Sequence, residues 1–118
     1  MDIEQCSRQV EEVSRRYAQR NGIERDDAWF MLKLHEEVGE LTQAYLMKTG
    51  QARHKGLTPA QIEAAFRSEL ADVLGQVLLL ARRHDVDLDA AIHDKWLVWL
   101  PDDASDSGQT PPDKVSSH

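Results

Sequence analysis

The chain has 118 residues, which is room for one domain and not two. Its single cysteine, Cys6, excludes an internal disulfide framework and a cysteine-rich zinc site. A net charge of −7 argues against a nucleic-acid binder working through a broad basic face, and no apolar run approaches the roughly 18 residues of a membrane span.

The opening MDIEQCSRQV has neither a basic region nor an apolar stretch of the secretory kind, so the reading expects a cytoplasmic protein. The first predicted helix covers residues 3–20. Ile3, Cys6, Val10, Val13 and Tyr17 recur at alternating steps of three and four, which draws one apolar stripe along it. Asp2 is placed to cap its start, and Asn21-Gly22 is a stop signal. Cys6 lies on the stripe and reads as a packed thiol.

A second helix is expected over residues 27–48, capped by Asp26 or Asp27 and ended by Thr49-Gly50. The loop that follows carries Arg53, His54 and Lys55, either as a solvated turn or as groups that fold over an anion. The third helix has the clearest start: Thr58 as N-cap, Pro59 at the first helical position and Gln61 completing a capping box. It runs to Arg83. A fourth is expected from Leu88 to Trp99, with Pro101 ending the ordered body.

No strand signal interrupts this series. The fold class that follows is all-α, an antiparallel four-helix bundle over residues 1–100. The third helix is apolar over a wide arc, from Ile62 through Phe66, Leu70, Val73, Leu74 and Val77, which implies more than one packing partner and hence an oligomer. Residues 101–118 hold four of the 21 acidic residues, with Ala104 and Val115 their only aliphatic side chains, and read as a disordered acidic tail.

The carboxylates carry the chemistry. At about 100° per residue, Lys33, Glu36, Glu37 and Glu40 share one face of the second helix, bordering an apolar stripe of Leu34, Val38, Leu41 and Tyr45. On the third helix Glu69, Asp72 and Gln76 flank the apolar edge in the same way. If the two helices pack antiparallel, the acidic edges converge. Like charges at that separation cannot all stay ionised, and a hard divalent cation, Mg²⁺ or Mn²⁺, resolves the conflict. The bland alternative is a pair of solvated acidic faces on a non-catalytic helical interaction module. Gly39, in mid-helix, reads either as a close helix approach or as a merely tolerated glycine. No Glu-x-x-His occurs, which disfavours a di-iron bundle.

Glu36-Glu37-x-x-Glu40, followed on the next long helix by Glu69-x-x-Asp72, resembles the EExxE…ExxD signature of the MazG-type nucleoside triphosphate pyrophosphohydrolases. The likeness extends through KLHEEVGELTQAYL and ELADVLGQVLLLARRHDVDLDAAIHDKW, over roughly residues 28–96. It implies an all-α dimer or tetramer and Mg²⁺-dependent cleavage between the α- and β-phosphates of a nucleotide, releasing a monophosphate and pyrophosphate. Carried over by position, Glu37, Glu40, Glu69 and Asp72 are the metal ligands and Glu36 orients or deprotonates the attacking water. Lys33 and Lys95 fall where phosphate-facing lysines stand. Lys33 also reads as a plain ion-pair partner of Glu37. A phosphoribosyl-ATP pyrophosphohydrolase is the nearest chemical alternative. After Lys95 the chain departs from the pattern, reading Trp96-Leu-Val-Trp99-Leu. Trp96, Trp99 and Trp29 are each open to a role in base stacking or in packing.

Overall fold

The computed structural model describes residues 1–101, and the tail expected beyond Pro101 lies outside them. The described residues form four α-helices and no strand: α1 (Ile3–Asn21), α2 (Asp27–Lys48), α3 (Pro59–Arg83) and α4 (Leu88–Lys95), followed by a 3₁₀ turn at Leu97–Trp99. No helix among them is long and apolar enough to cross a membrane.

The helices begin where capping chemistry dictates. Asp2, Asp26 and Asp87 accept the orphan backbone N–H groups of Gln5, Trp29 and Ala90, and Thr58 with Gln61 closes a reciprocal capping box. Gly22 ends α1 at φ +63°, a conformation that costs glycine nothing. The fourth helix stops four residues short of the predicted Trp99. Trp96 takes φ −120°, ψ −50° and the chain tightens into the 3₁₀ turn. The run Trp-Leu-Val-Trp contains poor helix formers, and α4 buries no residue that would hold a further turn in place.

α2 and α3 form an antiparallel hairpin that supplies most of the packing. Its register is fixed at both ends. Lys48 pairs with Glu63 while its ammonium lies 4.7 Å from the centre of the Phe66 ring, and Tyr45 meets Phe66 at 6.3 Å. At the other end Arg83 donates to Asp27 at 2.7 Å and covers Phe30. These ion pairs are half-exposed and contribute little energy; their effect is on register. α1 lies on α3, running against it. Arg82 donates to Glu4 and Ser7, both at 3.3 Å, and Val10 sits 3.8 Å from where a Cβ on Gly75 would stand. Arg25 reaches back to grip both oxygens of Glu11 and also covers Phe30.

Burial within this arrangement is sparse. The buried apolar side chains are Ala18, Phe30, Ala44, Ile62, Leu78, Leu79 and Ala81, three of them alanines. On α2 the buried positions are Phe30, Glu37 and Ala44, seven residues apart. This corrects the sequence expectation, which set the carboxylates at the border of a buried Leu34–Val38–Leu41–Tyr45 stripe. The contact line with α3 runs through Glu37 itself. The apolar stripe is turned aside, with Val38 44% and Tyr45 49% exposed. Leu70 and Leu74 on α3 are 46% and 57% exposed. In an antiparallel pair, positions about 100° round from the two contact lines fall on the same side, so both stripes share one open face of the hairpin. Of the two readings of Gly39, the tolerated glycine fits: among the described residues no atom lies within 4 Å of where its Cβ would be.

Candidate metal centre

Each half of the hairpin brings carboxylates to its middle. On α2, Glu37 and Glu40 are three residues apart and so fall on one face. On α3, Glu69 projects from the line that meets them. One oxygen from each of Glu37, Glu40 and Glu69 lies within 4.8 Å of the others. Glu37 is buried, with 8% of its surface exposed; Glu69 is half-buried and Glu40 open to solvent. The trio therefore spans a gradient from packed interior to water, with one open side.

Among the described residues, Glu37 Oε2 and Glu69 Oε2 are buried and have no hydrogen-bond donor, and Gln76 Oε1 shares that condition. Orphaned acceptors of this kind are costly, more so when charged. The chain answers by holding protons. Burial, then the neighbouring Glu40 and the charge on Asp72, push the Glu37 carboxyl up to about 7, against a smaller downward pull from Lys33. Burial, with Glu40 and Asp72 again beside it, also raises Glu69. A divalent cation meets the same need. The donor set is all oxygen, which fits a hard ion such as Mg²⁺ or Mn²⁺, and the orphaned oxygens of Glu37 and Glu69 are lone pairs such an ion would take up.

The remaining residues singled out by sequence fall around the trio. Asp72 is exposed and outside the group of three, close enough for its charge to act on Glu37 and Glu69. Glu36 also stands outside it, with its side chain 54% exposed, and accepts from Lys33 at 3.3 Å. Lys33 bridges Glu36 to Glu37, the second pair at 3.9 Å. Lys95 ends α4, an exposed position on a helix that packs against α1. Arg53, His54 and Lys55 lie on the loop between α2 and α3, where Lys55 and Gly56 both adopt positive φ.

Beside the carboxylates a cleft of about 560 Å³ opens between α1, α2 and α3. Lys33, Glu37 and Asp72 form part of its wall, and Trp29, Tyr17, Val10 and Val13 give it an apolar side. Gln76 also lines it. The sequence reading placed Gln76 on the acidic face of α3 without assigning it a role. The signal was present: a polar residue two turns from Glu69 on a packed face needs a partner.

Comparison with models of known protein families gives no match, and comparison with curated proteins gives none.

Proposed function

We propose that the chain is a Mg²⁺-dependent nucleoside triphosphate pyrophosphohydrolase of the MazG type, cutting between the α- and β-phosphates to release a nucleoside monophosphate and pyrophosphate. The observation that carries this reading is the convergence of Glu37, Glu40 and Glu69 from two helices, with buried oxygens left unpaired. A merely solvated acidic face has no reason to bury Glu37. The sequence signature supplies the reaction class.

Glu37, Glu40 and Glu69 would hold the ion, with Asp72 at the rim. When bound, Mg²⁺ neutralises charge on the phosphate oxygens, the main requirement for phosphoanhydride hydrolysis. Glu36, outside the ligand group and beside Lys33, would accept the proton of the attacking water as the water oxygen bonds to the α-phosphorus. The bond from that phosphorus to the bridging oxygen breaks, and pyrophosphate carries the electron pair away. Lys33, already shared between Glu36 and Glu37, holds Glu36 in place and offers a positive charge to the substrate.

The open apolar face of the hairpin supports self-association. A second copy covering Val38, Tyr45, Leu70 and Leu74 would complete a four-helix bundle from two hairpins, as a dimer or within a tetramer. The substrate pool would be cytoplasmic nucleotides, including damaged or deoxy forms.

The test is product analysis. Purified protein is incubated with a panel of ribo- and deoxynucleoside triphosphates, and with phosphoribosyl-ATP, in Mg²⁺. Pyrophosphate and a monophosphate are expected from at least one triphosphate. Orthophosphate instead would show that a different bond is cut. No product from any member would return the chain to the class of interaction modules.

A further inference from the structure

We infer that the cleft between α1, α2 and α3 is a nucleobase site, with the base stacked on Trp29 and its edge read by Gln76. The inference rests on the pyrophosphohydrolase reading for where the phosphates lie, and adds where the rest of the substrate goes.

Three observations carry it. The first is the fate of the α1 stripe. Cys6, Val10, Val13 and Tyr17 are spaced as a helix face that should be buried, yet all four line the cleft, and Val13 and Tyr17 are 69% and 51% exposed. The buried positions of α1 are instead Ser7 and Ala18. An apolar helix face that lines a hollow is a surface kept for an occupant. The second is continuity with the carboxylates. Lys33, Glu37 and Asp72 belong to the same cleft, so a molecule with phosphates at the metal centre extends naturally into it. The volume, about 560 Å³, is within the ordinary range for a small-molecule site. The third is Gln76. Its amide oxygen is out of water and has no donor among the described residues. A primary amide offers a donor and an acceptor side by side, the complement of a base edge.

The aromatic partner is Trp29 and not Trp96 or Trp99. Trp29 lines the cleft, braced edge-on by Phe30 at 5.0 Å, which is itself buried under Arg25 and Arg83. Trp96 and Trp99 belong to the turn after α4 and do not line the cleft. A braced indole and aliphatic Val10 and Val13 on the walls of one cleft suit a flat heterocycle.

The experiment titrates the full-length protein with nucleoside monophosphates in excess Mg²⁺, reading intrinsic tryptophan fluorescence, with ribose 5-phosphate as the baseless control. Saturable quenching by at least one monophosphate and none by ribose 5-phosphate is expected. Trp29→Phe should remove the quench and weaken binding by calorimetry roughly tenfold; Trp96→Phe should leave both unchanged. Val13→Trp, a change on the exposed rim that does not threaten folding, should block the cleft and abolish binding. Gln76→Leu should change the ranking among bases. Equal binding by ribose 5-phosphate and the monophosphates would overturn the inference, as would a quench that survives Trp29→Phe and Val13→Trp. Pyrophosphate release is scored separately. Activity on triphosphates that is indifferent to Trp29 and Val13 sinks the base site alone, whereas base-dependent binding with no pyrophosphate from any triphosphate sinks the reaction assignment alone.

Discussion

The two sides of the α2–α3 hairpin are built from the same helices and differ in almost everything else. One side carries the acidic residues, is overlain by α1, and hollows into a cleft that Lys33 and Trp29 share. The other carries Val38, Tyr45, Leu70 and Leu74, each about half-exposed among the described residues. Between the two runs a contact line that buries a glutamate in preference to a leucine. Apolar burial alone would turn α2 the other way, since a buried carboxylate without a partner is costly and each half-exposed leucine or valine forgoes part of the roughly 1.5–3 kcal/mol its burial would contribute. The difference teaches that the two sides pose different physical problems: the acidic side concentrates charge around a buried carboxylate, and the apolar side leaves aliphatic and aromatic surface half-exposed.

The strongest way to break this comparison is to remove the carboxylate at its centre. Glu37→Gln keeps the shape of the side chain and removes the charge. Pyrophosphate release should fall at least about a hundredfold, the scale on which loss of a preorganised electrostatic group usually appears. The same variant without metal should be more stable than the parent at pH 8, by on the order of 2 kcal/mol in urea unfolding, because a buried charge and its repulsion with Glu40 have gone. Retained turnover, or a less stable variant, would show that Glu37 is a packing residue.

The apolar side is tested by charging it. If the proposed self-association holds, the parent should sediment as a dimer or tetramer and Leu70→Glu combined with Leu74→Glu as a monomer, with helix content largely kept, since both positions are about half-exposed. A parent that already sediments as a monomer would overturn the self-association reading.

A smaller effect separates the two sides by pH. Folded Glu37 holds its proton to about pH 7, against 4.5 for a free glutamate, and Glu69 is raised in the same direction. Between those values the folded state binds more protons than the unfolded one, so stability without metal should fall as pH rises from 4.5 through 7. The groups with lowered values, Glu11, Glu12, Asp27 and Glu63, act below that window and in the opposite sense: their contribution is lost as pH falls. Thermal melts from pH 5 to 8 should show the decline, excess Mg²⁺ should reverse it, and Glu37→Gln should flatten it. The smallest expected change is Gly39→Ala. With open space at its Cβ, the variant should gain about 0.5–1 kcal/mol from helix propensity alone. A loss there would reveal a neighbour that only the assembled protein supplies.

Much of this architecture is legible in the chain. Helix starts are written locally, because Asp2, Thr58 and Gln61 satisfy N–H groups three residues away and need nothing distant. The acidic edges are legible too, since three- and four-residue spacing fixes which side chains share a face. Periodicity does not say which face meets the neighbour. The apolar stripes of α1 and α2 were the natural choice for burial, and the fold sets both at openings, one lining the cleft and one bare. That choice is made by packing between helices: α2 meets α3 along Phe30, Glu37 and Ala44, which periodicity within one helix does not specify. The fourth helix fell short for a local reason: α4 buries none of its own residues, and the chain turns at Trp96 into the 3₁₀ segment.

The central claim is that Glu37, Glu40 and Glu69 are held together for one divalent ion. Calorimetric titration with Mn²⁺ near pH 7, repeated in two buffers of different ionisation enthalpy, tests it without reference to any substrate. The account predicts saturable binding accompanied by proton release, as the ion displaces the proton from Glu37, and loss of both in Glu37→Gln and Glu69→Gln. Equal binding by the parent and both variants, with no proton released, would contradict it.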